Sequence, residues 1–457
     1  MSLMTSLLAG RSGLRSANAG INATSNNVSN VSTPGYHRRT VEQATRDPFQ
    51  NGRLNYGVGS QVMEIGRSND RIINMRRLQE AGEANASETE FLHLTSIERL
   101  FDEDQDSTVR GELEAFFDGL VAATADPADL GLRQQVSHNG ERLAIALNRS
   151  SSTIEKQALG FAENAESSLV VINSQLAEIA DLNAQINGAG GAMGTGDLTD
   201  RRDMVIRNLS EKIGVTADLH ADGQATVFMG GHALVSKSES RKLSLDPTIS
   251  PLSLFVNAGG GTIDVTDDAS GELGGYIAAH RKAEDYLGQL NTFAEDFATA
   301  MNAQHAAGFD RTGTGGGDLF TFTPANAAGT ITFSSAISAD SDLLAFAGAA
   351  TGLAGDVDNL SQLIAQEDNN IIAGTSTPRS FLSRLTTQIG NDVADSERLA
   401  RTKHAVLDDL DELYTSLHGV DMDEEASKLV MYQSAYQASA KVISVTNDLM
   451  NNLLNLV

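Results

Sequence analysis

The chain has 457 residues, with 60 acidic against 33 basic side chains and a formal charge of −27. That balance repels phosphate backbones and excludes general nucleic-acid binding, while the length leaves room for roughly three domains at about 150 residues each. Cysteine is absent, which rules out disulfides, thiolate metal sites, iron–sulfur clusters and thiol nucleophiles. Only 7 prolines occur, against about 23 at average usage, so long uninterrupted helices are permitted. No window approaches about 18 consecutive apolar residues, and no membrane insertion is expected. The first basic residue, Arg11, follows the opening apolar positions. A cleaved secretory signal places its positive charge ahead of the apolar run, so none is expected here. Leaving the cell would require another route.

In chain order, the first element is a helix. Leu7, Leu14, Ile21 and Val28 fall seven apart, and Leu3, Gly10, Ala17, Thr24 and Val31 fill a second seam. This is a heptad pattern with large residues on one seam and small or polar ones on the other. It ends near Asn30, before Pro34-Gly35, which suits the centre of a type II turn. From 68 to 187 the spacing predicts mostly helix: Leu94, Ile97 and Phe101, then Leu113, Phe116 and Leu120, then a longer run from Ala165 to Ile186. That run stops at a glycine-rich break, Gly188–Gly196. Short alternating strands follow at Val215–Leu219, Ala225–Met229, Leu243–Leu245, Leu254–Val256 and Thr262–Val265, with Asp222-Gly223 and Gly230-Gly231 as hairpin punctuation. A helix is expected from Gly274 to about Ala307, a strand at Gly329–Phe333, and a helix from Arg379 to Leu417. From Asp421 the heptad returns with Leu429, Tyr436, Ile443, Met450 and Val457 on one seam, and Asp421 with Glu424 resembles a capping box.

The expected fold class is α+β, multidomain and elongated, with terminal coiled-coil helices, a helical bundle and an inserted mainly β domain. The expected divisions are 1–45 with 419–457 as a terminal-helix domain, 46–210 with 272–310 and 359–418 as the bundle, and 211–271 with 311–358 as an outer β domain. A helix with one strong seam is marginal alone. Two such helices at opposite chain ends are therefore expected to pair, their small second-seam residues admitting helices of other subunits. An ordinary pair of core helices would show the same stripes.

Ser25-Asn26-Asn27-Val28-Ser29-Asn30 followed by Thr33-Pro34-Gly35-Tyr36 resembles the N-terminal signature of the bacterial flagellar rod, hook and hook-associated axial proteins. Gly419–Glu425, which contains Asp423, Glu424 and Glu425, then Leu429, Tyr432 and Tyr436, resembles the C-terminal segment of the same family. Three internal texts are similar to the hook-associated members of the hook–filament junction: Asp200-Arg201-Arg202-Asp203, Leu273–Tyr276 with His280, and Asn302, His305, Gly308 and Asp310. The resemblance implies a structural adaptor and not an enzyme. In that role many copies join hook to filament by stacking through the terminal seams, outside the cell, after type III export. It implies as partners other copies of the chain, the hook protein, the second junction protein and an export chaperone. The chain departs from the pattern at Asp102–Asp106, in the 188–196 loop and at 311–358, which is short for an additional outer domain. Another axial component, such as the hook protein, and an adhesin or enzyme domain on a helical stalk stay open as alternatives.

Candidates for chemistry are weak. Asp102, Asp104 and Asp106 suit positions 1, 3 and 5 of a calcium loop, but Ser107 replaces the turn glycine and Leu113 the bidentate glutamate. Asp200–Asp203 reads as local ion pairs at a helix start. His305 lies near Asn302 and Asp310 in sequence, but no metalloprotease, nucleophile-elbow or phosphate-loop motif accompanies it. It reads as a hydrogen-bonded helix-end histidine. No catalytic residue, cofactor or metal is expected.

Overall fold

The computed structural model describes residues 2–33, 35–51, 54–67, 70–101, 108–189, 195–220, 222–246 and 252–455. Pro34, Asp102–Asp106 with Ser107, 190–194 of the glycine-rich break, and Val457 lie outside the described residues. The elements are α1 (Ser2–Ser29), β1 (Arg39–Thr45), β2 (Phe49–Asn51), β3 (Leu54–Tyr56), β4 (Ser60–Arg67), α2 (Arg71–Glu98), α3 (Val109–Ala123) and α4 (Leu130–Gly188). They continue with α5 (Gly196–Ile213), β5 (Thr216–Leu219), β6 (Ala225–Met229), β7 (His232–Ser236), β8 (Glu239–Ser240), β9 (Leu243–Asp246), β10 (Ser253–Asn257), β11 (Thr262–Asp264) and α6 (Gly271–Ala306). The last part holds β12 (Phe320–Thr321), α7 (Ala327–Thr330), β13 (Thr332–Phe333), α8 (Ser335–Ala339), α9 (Asp358–Ala365), α10 (Pro378–His418) and α11 (Met422–Leu454). The class is α+β, dominated by long helices.

Two compact units divide the chain: Met1–Glu83 with Ile172–Lys242 and Lys403–Val457, and Ala84–Val171 with Leu243–Thr402. The second unit holds a continuous apolar core. Leu113, Phe116, Phe117 and Leu120 of α3 pack with Leu143, Leu147 and Phe161 of α4, with Tyr286, Phe293 and Phe297 of α6, and with Phe381 and Leu385 of α10. Phe116, Phe297 and Phe320 meet with ring centroids 5.6–6.2 Å apart, a geometry that adds about 0.5–1.5 kcal/mol per pair beyond burial. The start of α3 is fixed by Thr108, whose hydroxyl accepts from the Gly111 N–H at 3.1 Å. The order β11-β10-β9 makes a three-stranded sheet in this unit. Where a strand is expected over Gly329–Phe333, the chain first makes the short α7, because the Asn326 side chain accepts from the Gly329 N–H at 3.0 Å and caps a helical turn.

In the first unit, β5-β6-β7-β8 form a four-stranded antiparallel sheet. Asn183 of α4 holds this sheet: its Nδ2 donates to the carbonyls of Ala225 and Lys237 at 2.8 and 2.7 Å, and its Oδ1 accepts from the Ala225 N–H at 2.9 Å. Unforeseen in the sequence reading, 39–67 forms antiparallel ribbons, β1 with β4 and β2 with β3. The Asn51-Gly52 dipeptide is a hairpin signal that would have marked it.

Candidate functional site

The terminal helices pack antiparallel within the first unit, and glycines set how closely. A Cβ on Gly10 would lie 2.9 Å from Ile443 Cγ1, one on Gly13 2.5 Å from Ser439 Oγ, and one on Gly20 2.5 Å from the Tyr432 ring. The axes can therefore approach to a separation that any larger residue would prevent. Gly10, Ala17, Gly20, Ala23, Thr24 and Asn27 are buried. Leu7, Leu14, Ile21 and Val28 are half-buried. On α11, Leu429 and Ile443 are half-buried and Tyr436 and Met450 exposed. The small seam, not the large one, is thus the deeply buried edge of α1. Another side of α1 meets the ribbon, with Ser16 Oγ 3.0 Å from Ser60 Oγ.

A polar clasp closes one end of this pair. The turn after α1 is sealed by the Tyr36 N–H donating to the Thr33 carbonyl at 3.2 Å, and Gly35 takes φ +74°, which a side chain would resist. Asn27 accepts from the Arg39 N–H at 2.9 Å and donates to the Arg39 carbonyl at 3.0 Å, bonding β1 as a strand would. It also donates to Glu425 Oε2 at 2.9 Å. The Tyr36 hydroxyl lies 2.9 and 2.8 Å from the side-chain oxygens of Asn26 and Asn27 and donates to them, and burial pushes its pKa up to about 12. Ser25 contributes its carbonyl, which accepts from Ser29 Oγ at 2.8 Å. Glu425 is 1% exposed and accepts from Arg38 Nε at 2.9 Å, while Arg38 Nη2 reaches Glu424 at 2.8 Å. Asp421 caps α11, accepting from the N–H groups of Asp423 and Glu424 at 2.8 and 3.0 Å.

Beside the clasp, Asp200 and Asp203 of α5 gather basic side chains from the segment after α1. His37 Nδ1 and Arg67 Nη1 each lie 2.9 Å from Asp200 Oδ1, and Arg67 Nη1 is also 2.9 Å from Asp203 Oδ2. Burial alone would raise the Asp200 pKa, but His37 and Arg67 hold it below the ordinary carboxylate range. Arg202 is buried, donating to Asp203 Oδ1 at 2.8 Å and to the Gly223 carbonyl. These ion pairs lock α5 to the strand ends of 37–67. Sequence reasoning missed the basic side chains that these carboxylates and Glu425 meet, His37, Arg38, Arg39 and Arg67. A signal existed: the chain carries no acid before Glu42, unusual for one so acidic overall.

The remaining signature residues sit in the second unit and fix a loop. Asn302 Oδ1 accepts from the N–H groups of Leu319 and Phe320 at 2.8 and 2.9 Å, and its Nδ2 donates to the Phe320 carbonyl at 2.7 Å. His305 is fully buried; its Nδ1 donates to the Gly317 carbonyl at 2.6 Å and its Nε2 accepts from the Ala345 N–H at 2.8 Å. Burial keeps this imidazole neutral by lowering its pKa. A Cβ on Gly308 would run into Asn359 at 2.0 Å. These groups spend their bonding capacity on protein backbone, which suits a structural knot. Among the described residues, no group of three acidic or histidine side chains is placed to hold a metal ion.

What is left open is apolar. Met431, Val442, Val445, Leu449 and Leu453 of α11 are exposed and recur at helical spacing along one stripe. Glu425 and Thr446 are the buried residues of that helix among those described.

Comparison with known proteins places these features. Family models match at residues 7–37 (flagella basal body rod protein), 94–320 (flagellar hook-associated protein FlgK helical domain) and 414–456 (flagellar basal body rod FlgEFG protein C-terminal). The chain is 25% identical to flagellar hook-associated protein 1 of Salmonella typhimurium, over 97% of this chain and 98% of that one. It is 25% identical to the protein of that name from Bacillus subtilis, over 97% and 96%. The fold is similar to that of the flagellar hook junction protein FlgK from Burkholderia pseudomallei, with a TM-score of 0.65 at 15% identity, covering 76% of this chain and all of that one. The Salmonella alignment runs to 548 positions against 457 residues here, so that relative carries residues without counterpart in this chain. With matches at both termini and through the helical middle, the chain belongs to the family of flagellar hook-associated proteins.

Proposed function

We propose that this chain is a structural subunit of the bacterial flagellum, joining hook to filament as many copies stack through their paired terminal helices. It works by packing and catalyses nothing. The observation that carries this reading is the open apolar stripe of α11, on a helix whose other edge is committed to α1. A contiguous apolar face on a water-soluble surface marks an interaction site, and a copy of the same element is the neighbour a repeating assembly supplies. Leu7, Leu14, Ile21, Val28, Leu429, Tyr436, Ile443 and Met450, all partly accessible, are proposed to pack in the stack, Ile443 while also lying against Gly10 of α1. The reading includes the hook protein and the second junction protein as flanking partners, delivery by a dedicated chaperone through the flagellar export channel, and residence outside the cell.

The test uses cells whose own copy is replaced by a Leu14→Asp or Ile443→Asp variant. The variant is expected to be exported but not retained, so that filaments are lost, while labelled antibody to the unaltered chain marks the hook–filament boundary. Normal filaments in both variants, or label elsewhere on the flagellum, would overturn the reading.

A further inference from the structure

One surface of the first unit runs against the charge of the whole. Arg11 and Arg15 of α1 and Arg46, just past β1, line a groove of about 480 Å³ together with Ser16, Ser60 and Gln61, and no carboxylate among the described residues lines it. All three arginines are exposed. Among the described residues none of them forms an ion pair, in a chain where acids outnumber cations 60 to 33. Elsewhere in this unit Arg38 is taken up by Glu424 and Glu425, Arg67 by Asp200 and Asp203, and Arg77 by Asp411. Three unmatched guanidinium groups around one groove select a partner that brings carboxylates.

The same unit carries such a surface. Asp408, Asp409 and Glu412 of α10 are exposed and make no ion pair among the described residues. Asp411 between them points inward to Arg77 and Arg207, at 2.5 and 3.0 Å, which turns the other three to solvent. The two patches match in number and spacing. Arg11 and Arg15 stand at i and i+4 on one helix, as Asp408 and Glu412 do on the other, each pair about 6 Å apart. They do not meet within the unit. Arg15 lies 12 residues, about 18 Å, along α1 from Asn27, and Asn27 bonds Glu425 at the start of α11, which α10 leads into.

We infer that the arginine groove of one copy receives the Asp408–Glu412 face of a second copy. In a repeating stack each copy offers its groove to one neighbour and its acidic face to another, a head-to-tail contact. Such contacts close into rings or propagate into open helical arrays, whereas a two-fold pair using both patches at once would stop at a dimer. This rests on the proposed axial role and names the polar contact that would set the register of the stack, beside the apolar one.

The test uses full-length chains in cells lacking their own copy. Arg11→Glu with Arg15→Glu is expected to abolish incorporation, and adding Asp408→Lys with Glu412→Lys in the same chain is expected to restore it, since every interface then carries the reversed pair. The chain has no cysteine, so a Gln61→Cys, Leu413→Cys chain can also be cross-linked in isolated flagella with a short bismaleimide. A ladder of chain multimers is expected. Normal incorporation of the Arg11→Glu, Arg15→Glu chain, failure of the reversed chain, no cross-link, or a cross-link to a protein of different mass would each overturn the inference, provided the unaltered chain is present in the flagella. Its absence there would instead sink the proposed function.

Discussion

Gly20→Ala places a methyl group where the Tyr432 ring now lies, 2.5 Å from the new Cβ. Two effects oppose each other. Replacing a helical glycine by alanine stabilises by about 0.5–1 kcal/mol. Forcing an added methyl into a closed contact costs about 1–3 kcal/mol. The contact term is the larger, so α1 should open more easily by about 0.5–2 kcal/mol, equivalent to a roughly 2- to 30-fold acceleration of exchange. Amide hydrogen exchange resolved along α1 and α11 measures this directly. Gly160→Ala is the control: it lies in α4 with nothing within 4 Å of its added Cβ, and it should slow local exchange through the propensity gain alone. If Gly20→Ala slowed exchange as Gly160→Ala does, the close approach of the two helices would be refuted.

Glu425→Ala removes the buried acceptor shared by Asn27 and Arg38 and should cost about 3 kcal/mol, with Glu425→Gln losing less; limited proteolysis should then release the first and last helices together. The second unit should be acid-sensitive. Burial lowers the pKa of His305, and of His93 and His280, so the unfolded chain takes up protons near pH 6.5 where the folded one does not. Stability is therefore full above about pH 6.5 and falls as the pH drops below it. The urea midpoint at pH 5.5 should lie below that at pH 7.5, with a smaller difference in His305→Gln. Arg133 is buried and donates to the carbonyls of Pro127, Ser341 and Leu344 at 2.6, 3.3 and 2.9 Å. Arg133→Met should destabilise this unit by about 3 kcal/mol in urea unfolding, since the carbonyls lose their donor.

Much of this was legible because it is periodic or local. Heptads at both ends, the break after α4 and the hairpin glycines of 216–236 are written in neighbouring residues, and the expected bounds of α6 and α10 differ from the observed ones by a few positions. The depth of each seam was not legible. Large residues at Leu7, Leu14, Ile21 and Val28 suggest the tighter contact, yet proximity is set by what is small, so Gly10, Ala17 and Thr24 lie deepest. Nor could spacing reveal that Asn27 meets Glu425, 398 positions away, or that Asp200 meets His37 and Arg67. Such pairs are fixed only when distant segments pack. The ribbon at 39–67 escaped because its apolar alternation is thin and a bulge between Glu42 and Gln43 breaks the period.

The central claim is that the outer face of the terminal pair is open in the single chain and covered by neighbours in the flagellum. Hydroxyl-radical footprinting compares the two states at individual methionines. Met431, 56% exposed on the α11 stripe, should oxidise readily in the purified chain and be protected several-fold in isolated flagella, while buried Met229 and Met301 stay unreactive in both. Equal oxidation of Met431 in the free and the assembled chain would contradict the account.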